Sequence, residues 1–321
     1  MSGNFLKGLL AGAALASAVP AQAEITAPGA DRAAVAIIDI SADKIDNPDP
    51  KVRFINLTPA PPEGRTFAKS RNGNGDHGDY VASAFVSEYR KMNASSAIDI
   101  YSVNPFLQQN SRMTFNRKAI TDAIPVLKQN GVKVVITAFG IENKEAGESI
   151  VNQFRKAGMV VFAATPNSER DEGIYPAANK GAISVADDNG SRGALAHRKD
   201  WASWVDFAID GNQQGQNGQW AGASFAVGKA AAYGVLLTKA DPSLTVDDVR
   251  QGMTKYSDPS RYGAVRTVGG RGMVAAFSTP EVVAHLASLK APVQGQVVQS
   301  AQLTARPALA AISAQGQGPG F

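Results

Sequence analysis

The sequence predicts an α/β fold in which a mostly parallel sheet is covered by helices on both faces, giving three layers. Short, nearly continuous apolar segments are typical of strands buried on both sides, and residues 33–40 (AAVAIIDI) are the clearest of them. Segments with helical spacing alternate with these strands along the chain, as in parallel sheets connected by crossover helices. The 321 residues are enough for one large α/β domain or two small ones.

The apolar runs and the helical periodicity place the elements in order. We predict strands at 33–40, 97–103, 132–137, 159–164 and 182–186. We predict helices at 81–92, 119–129, 144–156, 224–237, 245–256 and 280–289. In the first helix Val81, Phe85 and Tyr89 recur at steps of four, and Asn130-Gly131 is a common stop for the second. Residues 58–75 are rich in Pro, Gly and Asn and predict a loop.

The two ends of the chain have compositions unlike the middle. Residues 1–23 combine Lys7, an apolar stretch at 8–19 and an Ala-Gln-Ala cleavage pattern at 21–23, which predicts a secretory signal peptide and a mature protein that begins near Glu24. A buried N-terminal helix is the alternative. We therefore expect export, to the periplasm or beyond, a globular domain over 24–290, and a low-complexity tail over 291–321 that is disordered or loosely attached.

Composition excludes several classes of function. The chain has no cysteine, so a packed core rather than disulfides must stabilise it. A formal net charge of +4, with scattered basic residues, argues against nucleic-acid binding. No stretch beyond the leader approaches the roughly 20 apolar residues of a membrane span. With three histidines and no cysteine a zinc site is not expected; His197 fits a solvated loop and His285 a structural position in the last helix.

Four polar residues occur where an α/β fold gathers reactive groups. Asp39 ends a strand, His77 precedes a helix, and Ser224 opens a helix after a glycine turn. A serine hydroxyl becomes nucleophilic when an imidazole takes its proton and a carboxylate orients the ring. Asn167 follows another strand, where its amide would donate to an oxyanion. Taken singly, such residues are more often a cap, a turn former or a surface group than catalytic.

Five segments resemble the motifs of the subtilisin-like serine peptidases (subtilases, peptidase family S8) and follow one another along the chain in the order of that family. Residues 33–40 resemble the strand that carries the aspartate of that family, and 77–82 (HGDYVA) resemble its H-G-T-H-V-A segment. Residues 160–167 (VVFAATPN) resemble the strand before the oxyanion asparagine, and 222–226 (GASFA) resemble G-T-S-M-A at the nucleophile. Residues 134–140 resemble the strand whose S-L-G end lines the substrate pocket. The resemblance covers roughly residues 33–240.

The resemblance implies a fold, an activity and a role for each residue. The fold would be subtilisin-like and the activity that of a serine endopeptidase without a cofactor. Ser224 would be the nucleophile, His77 the general base and then acid, and Asp39 the group that orients His77. Asn167 and the backbone N–H of Ser224 would form the oxyanion hole. A peptide or protein substrate would lie as an extended strand beside Ala138, Phe139 and Gly140.

Several neighbours of these residues differ from the family pattern. Asp39 is followed by Ile40-Ser41 rather than by Ser or Thr and then Gly, and Tyr80 replaces a second histidine. Ala223 stands before the nucleophile in place of threonine, Gly228-Lys229 replace Pro-His, and Thr165-Pro166 replace a small residue and glycine. These differences leave a second hypothesis open, a pseudo-peptidase that binds peptides or a partner protein. A periplasmic small-molecule binding protein, a third hypothesis, leaves the His77 and Ser224 segments unexplained.

The sequence also bears on regulation, ion binding and the charge of His77. Only residues 24–38 separate the predicted cleavage site from Asp39, too few for the pro-domain that many secreted subtilases carry. The protein would then fold unaided, use a separate folding or inhibitory partner, or be inhibited by its own tail. The acidic turn at 187–190 is a possible calcium site but lacks the ligand spacing of a known loop, so a plain turn is favoured. Asp76 and Asp79, which flank His77, are expected to favour its protonated form.

Overall fold

The computed structural model of the protein describes residues 32–68, 76–110, 112–167, 174–187, 204–215 and 218–255. The predicted leader, tail and 280–289 helix, together with His197 and His285, lie outside these ranges. The strands are β1 Arg32–Ile38, β2 Val52–Asn56, β3 Thr66–Phe67, β4 Ala97–Val103, β5 Phe106–Gln109, β6 Arg112–Phe115, β7 Val134–Thr137, β8 Val160–Ala164, β9 Ala182–Asp187, β10 Phe207–Ile209, β11 Gln213–Gly215 and β12 Gly218–Trp220. The helices are α1 His77–Met92, α2 Arg117–Gln129, α3 Lys144–Lys156, α4 Ala223–Ala240 and α5 Val246–Lys255.

A seven-stranded sheet organises the described part of the chain. Its strand order is β10-β9-β8-β7-β1-β4-β2, and every neighbouring pair is parallel. The carboxyl ends of all seven strands therefore meet at one edge, where polar residues that follow the strands are brought together. The predicted parallel sheet is confirmed.

Alternate residues of the central strand face two separate hydrophobic layers. Val35 and Ile37 of β1 pack in a cluster with buried residues of α1, α4 and α5. Ala36 and Ile38 pack in a second cluster with residues of α2 and α3. Because both faces of the sheet are covered, its central strands are apolar throughout rather than alternating, as predicted. The helix–sheet–helix layering is confirmed.

The longest helix, α4, lies in the centre of the first layer. It is buried along almost its whole length and packs against α1. The two helices that carry Ser224 and His77 are therefore direct neighbours. Among the described helices, none is both long and apolar enough to cross a bilayer.

The prediction was wrong or incomplete in three places. The predicted loop at 58–75 contains strand β3, which joins β5 and β6 in a small antiparallel sheet. Strand β2 at the sheet edge, that antiparallel sheet and strands β10, β11 and β12 were not predicted. Helix α1 begins at His77 itself and not at residue 81, because Asp76 and Asp79 form a capping box that starts the helix there.

Candidate active site

Asp39 follows β1 directly and is buried at the carboxyl edge of the sheet. Its backbone N–H donates to the Val103 carbonyl of the neighbouring strand at 3.1 Å. Its carboxylate accepts the N–H of Ile40 at 2.6 Å and faces the ring of His77. The carboxylate is thus fixed by main-chain contacts on one side and by the imidazole on the other.

His77 is the first residue of α1, and its ring points towards Asp39. Nδ1 lies 2.9 and 2.8 Å from the two carboxylate oxygens, and because a carboxylate only accepts, Nδ1–H is the donor. The negative charge of Asp39 raises the pKa of His77, although burial of the ring acts in the opposite direction. The His77 side chain keeps 34 % of its surface exposed, so the other edge of the ring remains reachable.

The raised pKa of His77 has a different source from the one expected from the sequence. We attributed it to Asp76 and Asp79, which was wrong: the charge that raises the pKa is that of Asp39. The Asp79 carboxylate instead accepts backbone N–H groups from Asp43 and Asp76.

Gly78 allows the start of α1 to lie against the loop that follows Asp39. Its N–H donates to the Ile40 carbonyl at 3.0 Å. A Cβ at this position would lie 1.8 Å from the Ser41 carbonyl oxygen, so no side chain fits. This close approach puts the His77 ring within reach of Asp39.

Ser224 is the second residue of α4 and follows a turn at Gly222. Gly222 has φ +152°, a conformation that favours glycine. The Ser224 hydroxyl donates to the Ala138 carbonyl at 3.4 Å, and Ser224 is only 8 % exposed. Within the described residues no hydrogen bond joins this hydroxyl to His77. The next residue, Phe225, has its ring centroid 6.2 Å from that of His77, so the two helix starts are adjacent.

Asn167 lies beside the turn that precedes Ser224. Its side-chain oxygen accepts the N–H of Ala223 at 2.9 Å. A Cβ on Gly222 would lie 3.2 Å from that oxygen and 3.3 Å from the amide nitrogen, so a side chain there would crowd Asn167. In an asparagine side chain the nitrogen donates and the oxygen accepts, so the contact of the oxygen with Ala223 places a donor group beside the start of α4.

Ala138, Phe139 and Gly140 follow β7 and continue outwards from the same edge of the sheet. Ala138 is buried, Phe139 is half-buried and Gly140 is exposed. The Phe139 ring contacts Phe106 at a centroid distance of 5.3 Å and Phe115 at 5.4 Å. Phe115 was missed because the short hairpin that carries it gave no recognised periodicity.

The model of the subtilase family matches residues 34–272 of this protein, about three quarters of the chain. The chain belongs to the subtilase family. Among the solved structures that resemble it is the prenylagaramide maturation protease PagA, with a TM-score of 0.51 and 16 % identity over 79 % of this chain and 93 % of that one. This likeness supports the fold. A search of curated protein sequences found no significant relative.

Two departures of this subtilase from the family pattern have structural counterparts. Ser41, where the family usually has glycine, has φ +41°, in the left-handed region that glycine tolerates best. Lys229, where the family usually has histidine, is buried, and its ammonium donates to the carbonyls of Asp210 at 2.9 Å and Asn212 at 2.6 Å. Burial lowers the pKa of Lys229. The lysine thus ties α4 to the loop at 210–212.

Proposed function

We propose that this subtilase is an exported serine endopeptidase in which Asp39, His77 and Ser224 form the catalytic triad. The observation that carries the proposal is the pairing of His77 Nδ1 with the buried Asp39 carboxylate, next to the helix start that bears Ser224. An imidazole held through Nδ1 presents Nε2 as its base, which is the tautomer that serine activation needs.

The reaction follows from these groups. His77 Nε2 takes the proton of the Ser224 hydroxyl while Oγ bonds to the carbonyl carbon of the peptide, whose C=O electrons move to oxygen. Asn167 and the N–H of Ser224 donate to this oxyanion. The oxyanion collapses, the C–N bond breaks, and His77 gives its proton to the departing amine. Water then attacks the acyl-enzyme with His77 again as base, which releases the acid and restores Ser224.

The Ser224 hydroxyl has to leave the Ala138 carbonyl before it is activated. A long bond of 3.4 Å holds it there weakly. A substrate lying as an extended strand beside 138–140 brings peptide N–H groups to carbonyls of this segment. Competition for the Ala138 carbonyl releases the hydroxyl to turn towards His77. Catalytic hydrogen bonds that are long in a free enzyme and tighten with substrate are a common pattern.

The substrate we propose is a peptide or protein with an apolar side chain near the scissile bond. Phe115 and Phe139 are half-buried and pack with the buried Phe106 in an aromatic cluster that begins next to Ala138, and the exposed part of such a cluster gains free energy when an apolar group covers it. Export is supported by the leader-like composition of residues 1–23.

Peptide hydrolysis tests this proposal. The protein lacking residues 1–23 should cleave a mixed peptide library, with products identified by mass spectrometry, and cleavage sites should be enriched in apolar residues. Ser224→Ala, which removes only the hydroxyl, should cleave nothing. Cleavage by the Ser224→Ala variant at the wild-type rate would contradict the proposal.

One observation favours a second candidate, the peptide-binding pseudo-peptidase: the Ser224 hydroxyl bonds to Ala138 and not to His77. Under this hypothesis the wild-type protein binds peptides at 138–140 without cleaving them. Calorimetric titration of the folded protein with uncleaved library peptides separates the two, because binding that is equal in wild type and Ser224→Ala, with no hydrolysis by either, is expected only of the pseudo-peptidase.

A further inference from the structure

We propose that Asp79 is a positioning residue for the Asp39–His77 pair. This inference rests on the proposed function, since it concerns the residue that keeps the general base His77 in position against Asp39. Asp79 lies two residues after His77, is buried, and belongs to the segment that resembles H-G-T-H-V-A, in which the family has threonine at this position.

The Asp79 carboxylate joins the two segments that carry Asp39 and His77. One oxygen accepts the N–H groups of Asp43 at 3.0 Å and Lys44 at 3.3 Å, in the loop that follows Asp39. The other oxygen accepts the N–H of Asp76 at 3.0 Å, directly before His77. A single side chain therefore holds the loop at 40–44 over the first turn of α1.

Only a carboxylate meets all of these demands. Three N–H donors need two oxygens with free lone pairs, which aspartate has and threonine, with one hydroxyl, lacks. Asparagine keeps one acceptor oxygen and would place an N–H₂ group against backbone donors on its other side. The Lys44 ammonium, 3.8 Å away and largely exposed, partly balances the buried charge.

The loop that Asp79 holds is a strained one. Ser41 has φ +41°, which a residue with a side chain adopts at a cost, and its carbonyl lies directly against Gly78. Family members with glycine at this position have no such strain to offset. Ser41 and Asp79 therefore form a compensating pair: the carboxylate retains a loop conformation that Ser41 disfavours.

The alternative is that Asp79 acts only as the third residue of a helix-capping box. The chain has a matched example of that role. Asp248 occupies the same position in α5, where its carboxylate accepts the N–H and the hydroxyl of Thr245. Asp248→Thr therefore controls for lost capping, because it removes the same kind of contact from a helix that carries none of the proposed catalytic residues.

The first experiment measures the pKa of His77 by NMR titration in a Ser224→Ala background, which needs no activity. Asp79→Thr should lower the pKa of His77 by about half a unit or more towards its ordinary value, since Asp39 is no longer held against the ring. Asp248→Thr should leave it unchanged. An Asp79→Thr protein that is folded and has the His77 pKa of its parent would overturn the proposal.

The second experiment measures the rate at which a fluorophosphonate labels the protein with Ser224 intact. We expect Asp79→Thr to reduce the second-order rate constant about tenfold, and Ser41→Gly in the same chain to restore at least a third of the wild-type rate. If the labelling rate constant falls equally in Asp79→Thr and in the double variant that also carries Ser41→Gly, the compensating pair is contradicted. Absence of labelling in the wild type would count against the proposed function, while the NMR titration would still decide the role of Asp79.

Discussion

The starts of α1 and α4 meet at the candidate site, yet they are held in different ways. The α1 start has three N–H bonds to Asp79, one of them within the capping box, together with the Gly78–Ile40 bond and the Asp39–His77 contact. The α4 start follows Gly222, which has no side chain to cap the helix, and is held by Asn167 through Ala223. Under the proposed function, this difference means that the general base His77 and its partner Asp39 are set in advance, whereas Ser224 is adjusted when substrate binds.

The largest effect on activity is expected from a change at the start of α1, where Asp39 holds His77. Asp39→Asn should reduce kcat on the order of 10⁴-fold, because asparagine no longer fixes the useful tautomer of His77. Since the Asp39 charge raises the pKa of His77, its loss should also move the acid limb of the kcat/KM profile to lower pH. An acid limb that stays in place would show that Asp39 does not control His77.

The Asp39–His77 pair should also make the free energy of unfolding depend on pH. His77 has a raised pKa when folded, so its pairing with Asp39 stabilises the fold fully below the pKa of an unfolded histidine and loses that effect as the pH rises through the folded value. The difference in free energy of unfolding between wild type and Asp39→Asn should therefore be larger near pH 6 than at pH 9, as measured by urea denaturation at both values. A larger difference at pH 9 would contradict this assignment.

An intermediate effect on activity is expected from a change beside the start of α4, at Asn167. Asn167→Ala removes the proposed oxyanion donor and should lower kcat by about 10²–10³-fold with little change in KM. Asn167→Asp keeps an oxygen for the N–H of Ala223 but has no donor, so it serves as the control for the structural part of the loss. If Asn167→Asp retains full kcat, Asn167 acts only by holding the turn.

The smallest effect concerns the free protein. Amide hydrogen exchange should be slower at Gly78, whose N–H is bonded to Ile40, than at Ser224, which lies in the first turn of α4 where N–H groups lack helical partners. One hydrogen bond of about 1 kcal/mol corresponds to a difference of roughly fivefold. Equal protection at the two positions would remove the contrast between the helix starts.

The sequence predicted the parts of the fold whose signal is local. The central strands are apolar throughout and α3 has regular spacing with clear ends, so both were predicted closely. Strand β2 was missed because, as an edge strand, it has a mixed burial pattern without alternation. The β5–β6 hairpin was missed because much of its surface is exposed and its pairing depends on the neighbouring β3.

The candidate site was likewise predictable in part, for the residues that belong to local motifs. Asp39, His77, Asn167 and Ser224 were selected from motif order, and the fold brings the segments that carry them to one edge of the sheet. The contacts behind the proposed role of Asp79 were not predictable, since its partners at 43 and 44 lie more than 30 residues away in the chain. The source of the raised pKa of His77 was likewise assigned to sequence neighbours rather than to Asp39 across the fold.

Labelling with a fluorophosphonate followed by tandem mass spectrometry tests the central claim, that Ser224 is a nucleophile activated by His77. We expect one adduct, on Ser224, in the folded wild-type protein, and none in Ser224→Ala or in His77→Ala. No adduct on folded wild-type protein, or an adduct on Ser224 that forms equally fast in His77→Ala, would contradict the account.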